Sequence, residues 1–130
     1  MTSFEALALW VGLHVLLMAG LKLRVGATRI RTKVDYGGGE DALMQRMLRV
    51  QGNAVEDVPI ALLGLGALAF AGGPVWMIHL LGGLLFAARS LHAFGLGGKA
   101  GASKGRFIGT IGSLLVLLLT GGACLYFAFF

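Results

Sequence analysis

Four stretches, residues 4–21, 58–71, 74–88 and 107–130, are almost wholly apolar. A bilayer core asks for about 20 such residues per helix, and each stretch approaches or extends to that length. In lipid every backbone amide and carbonyl must be satisfied inside the segment, so runs of this kind become helices. With 57% hydrophobic and 13% charged residues and a mean hydropathy of +0.84, the chain falls outside the usual range of water-soluble domains. The expectation is an all-α membrane protein, a single four-helix transmembrane domain over residues 1–130 with helices at about 3–30, 40–71, 74–95 and 105–130. The first stretch reads as a retained span and not a leader: its N-terminal flank carries Glu5 and no basic residue, and a basic run follows in place of a small-residue cleavage site. Cys124 is the sole cysteine; in an apolar run it reads as a buried small hydrophobe, and no disulfide forms within one chain.

The eleven basic residues are unevenly placed. Lys22, Arg24, Arg29, Arg31, Lys33, Arg46 and Arg49 lie between or beside the first two spans, and Arg89, Lys99, Lys104 and Arg106 between or beside the last two. The short link at 71–74 and both termini have none. The positive-inside rule then puts both basic loops in the cytoplasm and both termini outside. Topology and anionic lipid headgroups account for the net charge of +5, so no nucleic acid is implied.

Turn chemistry marks the element ends. Helix one should end before the sequence DYGGGED at 35–41, and helix two should start there with Glu40 and Asp41 at its positive end. Pro74 suits the first turn of helix three after Gly72 and Gly73. Residues 95–105, GLGGKAGASKG, read as a flexible cytoplasmic loop. Glycines inside the spans, Gly64, Gly82 and Gly109 among them, let helix backbones approach closely, as in a packed bundle or an oligomer.

Spans two and three are too short as apolar runs. Residues 58–71 cover about 21 Å against about 30 Å of hydrocarbon, so helix two must draw Asn53, Glu56 and Asp57 toward the membrane, and helix three Arg89 and His92. Glu56 lies fifteen residues before Ala71 and Arg89 fifteen after Pro74; Asn53 and His92 are each eighteen away. In an antiparallel pair Glu56 is therefore level with Arg89, and Asn53 with His92. At about 100° per residue, Arg46, Arg49, Asn53 and Glu56 share an arc of about 80°, and Asp57 points elsewhere. Pro59 removes the hydrogen bond to the Val55 carbonyl, which predicts a kink just beyond the stripe. Charges drawn into a membrane cost about 2.5 to 3.5 kcal/mol each on insertion scales and take partners. Two readings fit: a Glu56–Arg89 ion pair that orders the bundle, or a site for a polar ligand. Arg46 and Arg49 fit a ligand site or headgroup anchors equally.

Other polar residues read as structural. His14 and His79 are isolated in apolar runs, as satisfied core histidines are, and no metal-ligand spacing is present. Thr110 and Ser113 suit bonds across helices or to their own carbonyls. The glycine clusters lack a Walker lysine and any strand context for nucleotide binding.

The stretch RMLRVQGNAVEDVPI at 46–60 resembles the helix-two signature of the MAPEG family, membrane-associated proteins of eicosanoid and glutathione metabolism. ARSLHAFG at 88–95 and GRFIGTIGS at 105–113 are similar to its helix-three motif and the start of its helix four. The resemblance covers essentially the whole chain and is strongest to small bacterial inner-membrane members. It implies a homotrimer of four-helix subunits with glutathione, as co-substrate, bound near the cytoplasmic face between subunits. It further implies that Asn53 and Glu56 hold the tripeptide backbone, that Arg49 supports that network and that His92 contacts the tripeptide, with Arg89 of the helix-three motif counted among the glutathione-binding residues. By the same resemblance Arg24 meets a glutathione carboxylate, and Arg106 sits near the sulfur as the catalytic group. Gly52, Leu96 and Phe107 stand where other members carry polar or aromatic side chains, which implies fewer contacts to the ligand.

Two functions from different classes follow. One is a glutathione-dependent transferase or peroxidase acting on lipophilic small molecules that arrive through the bilayer. The other is a non-catalytic membrane protein whose polar stripe binds lipid headgroups or locks the trimer. A channel is disfavoured because no continuous polar face spans the full depth.

Overall fold

The computed structural model describes residues 1–98 and 104–130, with the side chains at 96–98 outside that description. Four helices follow one another: α1 Ser3–Thr32, α2 Ala42–Phe70, α3 Val75–Gly98 and α4 Lys104–Phe129. Each is long and apolar enough to cross a membrane, and the protein is a multi-pass membrane protein of the all-α class. At 30 and 29 residues, α1 and α2 measure about 45 Å, well beyond the hydrocarbon thickness. The basic residues of both helices gather at the end where α1 hands over to α2.

The ends follow from local chemistry. Thr2 and Glu5 close a capping box on α1, satisfying two amides that a helix start leaves unpaired. Lys33 leaves α1 in the left-handed region at φ 54°, and Arg29 ties the connection down by donating to the carbonyls of Val34 at 2.7 Å and Gly37 at 3.3 Å. Asp41 is the cap of α2, accepting from the Met44 amide at 2.7 Å; Glu40 stays outside the helix, so the start falls two residues later than expected. Gly72, at φ +90°, makes the turn that only glycine takes without strain. Pro74 precedes α3 instead of opening it, and its carbonyl accepts from Met77 and Ile78.

α2 carries Pro59 in its interior and continues past it to Phe70. One further expectation needs correction. The loop expected over 95–105 is shorter, because α3 continues to Gly98 and α4 begins at Lys104. Its middle, residues 99–103 with Lys99, lies outside the described residues, as does the Leu96 side chain.

In the bundle α1 packs on α2 and α3, α4 packs on α2 and α3, and α2 touches α3 across the middle. The core is layered. Leu65, Leu68, Ile78, Leu85 and Val116 fill one half, while Leu21, Val50, Ala54, Val58 and Ala93 fill the half nearer the basic end. Large apolar side chains also face outward, Leu16, Leu63, Phe94 and Leu118 each at least 66% exposed. Such a surface is stable only against hydrocarbon or another copy's apolar face.

Candidate polar site between α2, α3 and α4

Arg89 is the centre of the polar cluster. It is 2% exposed, and its Nη1 lies 2.8 Å from Asp57 Oδ2. The same nitrogen donates to the Asn53 carbonyl at 2.9 Å, and Nη2 to the Gly109 carbonyl at 3.3 Å. One guanidinium thus joins α2, α3 and α4. The expected Glu56–Arg89 pairing is corrected: the carboxylate is that of Asp57, and Glu56 is exposed.

The buried face of α2 explains the exchange. Met47, Val50, Ala54, Val58, Ala61 and Leu65 are all buried, and at about 100° per residue their mean direction lies about 60° from Asp57 but about 160° from Glu56. Depth alone ranked the two carboxylates wrongly, because one residue is a step of only about 1.5 Å, within an arginine's reach. The apolar pattern around Asp57 was the sequence signal for it.

One turn along each helix, Asn53 and His92 meet as the depth count expected. Asn53 Nδ2 stands 3.2 Å from His92 Nε2, and His92 is 2% exposed. An amide nitrogen only donates, so Nε2 is the acceptor and a neutral ring carries its proton on Nδ1. Gly109 permits this packing: a Cβ there would lie 2.5 Å from the Ala88 carbonyl oxygen and 2.6 Å from His92 Cβ. α4 therefore rests its backbone on the α3 turn that carries Arg89 and His92.

The remaining expected residues lie around this cluster. Glu56 and Arg49 are exposed and Arg46 is half-buried, so the stripe flanks the core with one edge open. Arg46 Nε is buried without a partner among the described residues. Arg24 is exposed on α1. Arg106 is exposed in the first turn of α4, where its carbonyl accepts from Thr110 Oγ1 at 2.9 Å. That turn packs on the end of α3: a Cβ at the preceding Gly105 would lie 3.0 Å from the Leu91 carbonyl oxygen.

The other polar groups serve packing. Ser113 bonds to its own helix at Gly109. His79 accepts from the Trp10 indole at 3.2 Å. His14 is fully buried and bonds the Trp10 carbonyl through Nδ1, yet its Nε2 has no partner among the described residues, so it is only half satisfied. Cys124 is partly buried and donates to the Gly64 carbonyl at 3.2 Å. Both line an apolar groove of about 290 Å³ between α2 and α4. Among the described residues no group of three or more His, Cys, Asp or Glu could hold a metal ion.

Comparison with known proteins decides the lineage. The model of the MAPEG family matches residues 7–126, a range that takes in most of each of the four helices. The chain belongs to the MAPEG family. Among curated relatives, the inner membrane protein YecN of Escherichia coli K12 is 35% identical over 88 residues, covering 68% of this chain and 67% of YecN. YecN of Escherichia coli O6:H1 matches to the same extent. The four-helix architecture derived above is thus that of a MAPEG protein, and the stretch from Arg46 to Pro59 lies inside the matched region.

Proposed function

We propose that this MAPEG protein is a membrane-embedded glutathione-dependent transferase or peroxidase, working as a homotrimer on lipophilic electrophiles or hydroperoxides. The observation that carries the reading is the open-edged stripe: Asn53, fixed against His92, is flanked on α2 by Arg49 and Glu56, both exposed. Glutathione has two carboxylates, an ammonium group and two amides, so it needs cations and a carboxylate together. Arg49 answers its carboxylates and Glu56 its ammonium. With Nδ2 engaged by His92, the Asn53 amide oxygen is left to accept from a ligand N–H. Arg24, on α1, supplies a further cation for a carboxylate. Arg89 enters the site indirectly, since its two Nη groups are engaged by Asp57, Asn53 and Gly109, while its buried Nε has no partner among the described residues.

A free thiol titrates at about 8.5, and only its thiolate is a good nucleophile. Arg106 supplies the positive charge that favours the thiolate while the electrophile enters from the surrounding hydrocarbon. The sulfur then bonds to the electrophilic carbon and the leaving group departs, or it attacks the distal peroxide oxygen and breaks the O–O bond, so that the alkoxide leaves and takes a proton from water as the alcohol, and the resulting glutathione sulfenic acid is converted by a second glutathione to the disulfide and water. Exposure of Glu56 and Arg49 at the membrane boundary supports coverage by a neighbouring subunit, because charges there take partners. The name of the YecN relatives and the positive-inside rule together support a bacterial inner membrane with the basic loops in the cytoplasm.

Halide release from a chlorodinitrobenzene by purified protein and glutathione tests the activity. We expect Arg106→Ala to lower kcat/KM by about a hundredfold or more, the usual cost of losing one preorganised charge-stabilising group, with assembly retained. Unchanged turnover in that variant rejects the thiolate role. A second reading, a non-catalytic headgroup binder, draws on the exposed Arg24 and Arg49. It is favoured if glutathione leaves the melting temperature in detergent unchanged while anionic lipid raises it.

A further inference from the structure

We infer that Asp57 and Arg89 are a positioning pair, which sets the register and facing of α2 against α3 so that the Asn53 amide meets the His92 ring. Three observations converge on this. The acceptors shared by Arg89 Nη1, the Asp57 carboxylate and the Asn53 carbonyl, stand one helical turn apart on α2. The guanidinium therefore spans the very turn that carries the Asn53 side chain. Its Nη2 reaches the Gly109 carbonyl of α4, so the third helix is held by the same planar group. His92 lies one turn beyond Arg89, on the stretch of α3 where α4 is in backbone contact at Gly109.

The hierarchy of strengths decides which contact positions which. Charge-assisted hydrogen bonds are roughly twice as strong as neutral ones, and the Asn53–His92 bond is neutral. Sliding α2 by one residue moves it about 1.5 Å and turns it about 100°, enough to break the 3.2 Å contact between Asn53 and His92. A single amide–imidazole bond does not hold two helices against such a slip; a buried guanidinium bonded to the half-buried Asp57 carboxylate and to carbonyls of α2 and α4 does. Arginine suits the task because its rigid fork addresses several acceptors at fixed angles, whereas a lysine ammonium is a point charge on a flexible stem. Asp57 thus fixes which Asn53 atom faces outward without touching any ligand. This functional consequence rests on the glutathione reading; the positioning itself does not.

The test reads the His92 ring directly. In protein labelled with ¹⁵N-histidine, with His92 assigned by the signals that His92→Gln removes, we expect one protonated and one unprotonated ring nitrogen, the unprotonated one being Nε2. In Asp57→Asn and in Arg89→Lys the two nitrogens should move toward an averaged position, and glutathione binding, read from the ligand-dependent melting temperature, should weaken about tenfold. A His92 spectrum unchanged in both variants overturns the inference. Should Asp57→Asn fail to fold, Asp57→Asn/Arg89→Met removes both charges: a wild-type ring pattern there overturns the inference, and an averaged one supports it. If wild-type protein binds no glutathione, the glutathione reading falls, while the ring spectra still decide the positioning role.

Discussion

Glu56 and Asp57 carry the same charge on adjacent residues, yet among the described residues only Asp57 meets a counter-charge, and the two should respond differently to mutation. Removing the partner of a buried charge leaves that charge undercompensated, at a cost of about 1 to 3 kcal/mol where the partner itself is partly exposed, as the Asp57 side chain is at 30%. Asp57→Ala should therefore lower stability by about that amount, seen as a clear fall in melting temperature in detergent. Glu56→Gln removes an exposed carboxylate and should shift stability by about 0.5 kcal/mol or less. In the proposed function it instead abolishes most of the glutathione-dependent stabilisation. Equal losses of ligand-free stability in the two variants would contradict the assignment of Asp57 as the partner of Arg89. The polar character of this stretch was plain in the sequence. Which of two neighbouring carboxylates faces inward was written only in the apolar residues around them, Val50, Ala54 and Ala61, and not in the depth count.

Among elements, the contact between α3 and α4 is the most exacting, since Gly109 holds α4 against the Ala88–His92 turn. A methyl group there meets backbone atoms that have no freedom to move aside, so Gly109→Ala should cost about 1 to 3 kcal/mol by overpacking and disturb His92. Gly121, on the same helix, has no atom within 4 Å of an added Cβ. Gly121→Ala should be neutral or stabilising by up to about 1 kcal/mol, as alanine is the better helix former. Thermal melting of the two variants side by side checks both. A cost at Gly121 would mark that face of α4 as covered by a neighbouring subunit. The turn between α1 and α2 and the one between α2 and α3 were legible because Asp41 and Gly72 use local chemistry, whereas the Thr2 capping box was not read from the sequence. The glycines looked alike in sequence, and only the packing separates Gly109, pressed on α3, from Gly121, which faces open space.

For the molecule as a whole, the outward-facing leucines and phenylalanines and the exposed Arg49 and Glu56 make a surface suited partly to lipid and partly to another copy. Crosslinking in native membranes followed by mass analysis should return trimers if the proposed assembly holds; monomers alone would leave the stripe open to lipid and favour the headgroup reading. Reporter fusions at the two termini should both give periplasmic signals, as the basic loops require. A cytoplasmic signal from either end would reverse that topology and move the candidate site to the other membrane face.

By itself the sequence determined the solvent this protein folds in, its number of helices and the matched heights at which Asn53 and His92 meet. These are properties of length, hydropathy and rise per residue, and each is read along one helix at a time. The family likeness was legible too, because it rests on a contiguous run from Arg46 to Pro59. Only the tertiary structure decided that Asp57 pairs with Arg89, that Gly109 brings α4 onto His92, and that Glu56 and Arg49 are left at the surface. Those outcomes depend on how each helix is rotated about its axis, and that rotation is set by packing among three helices at once.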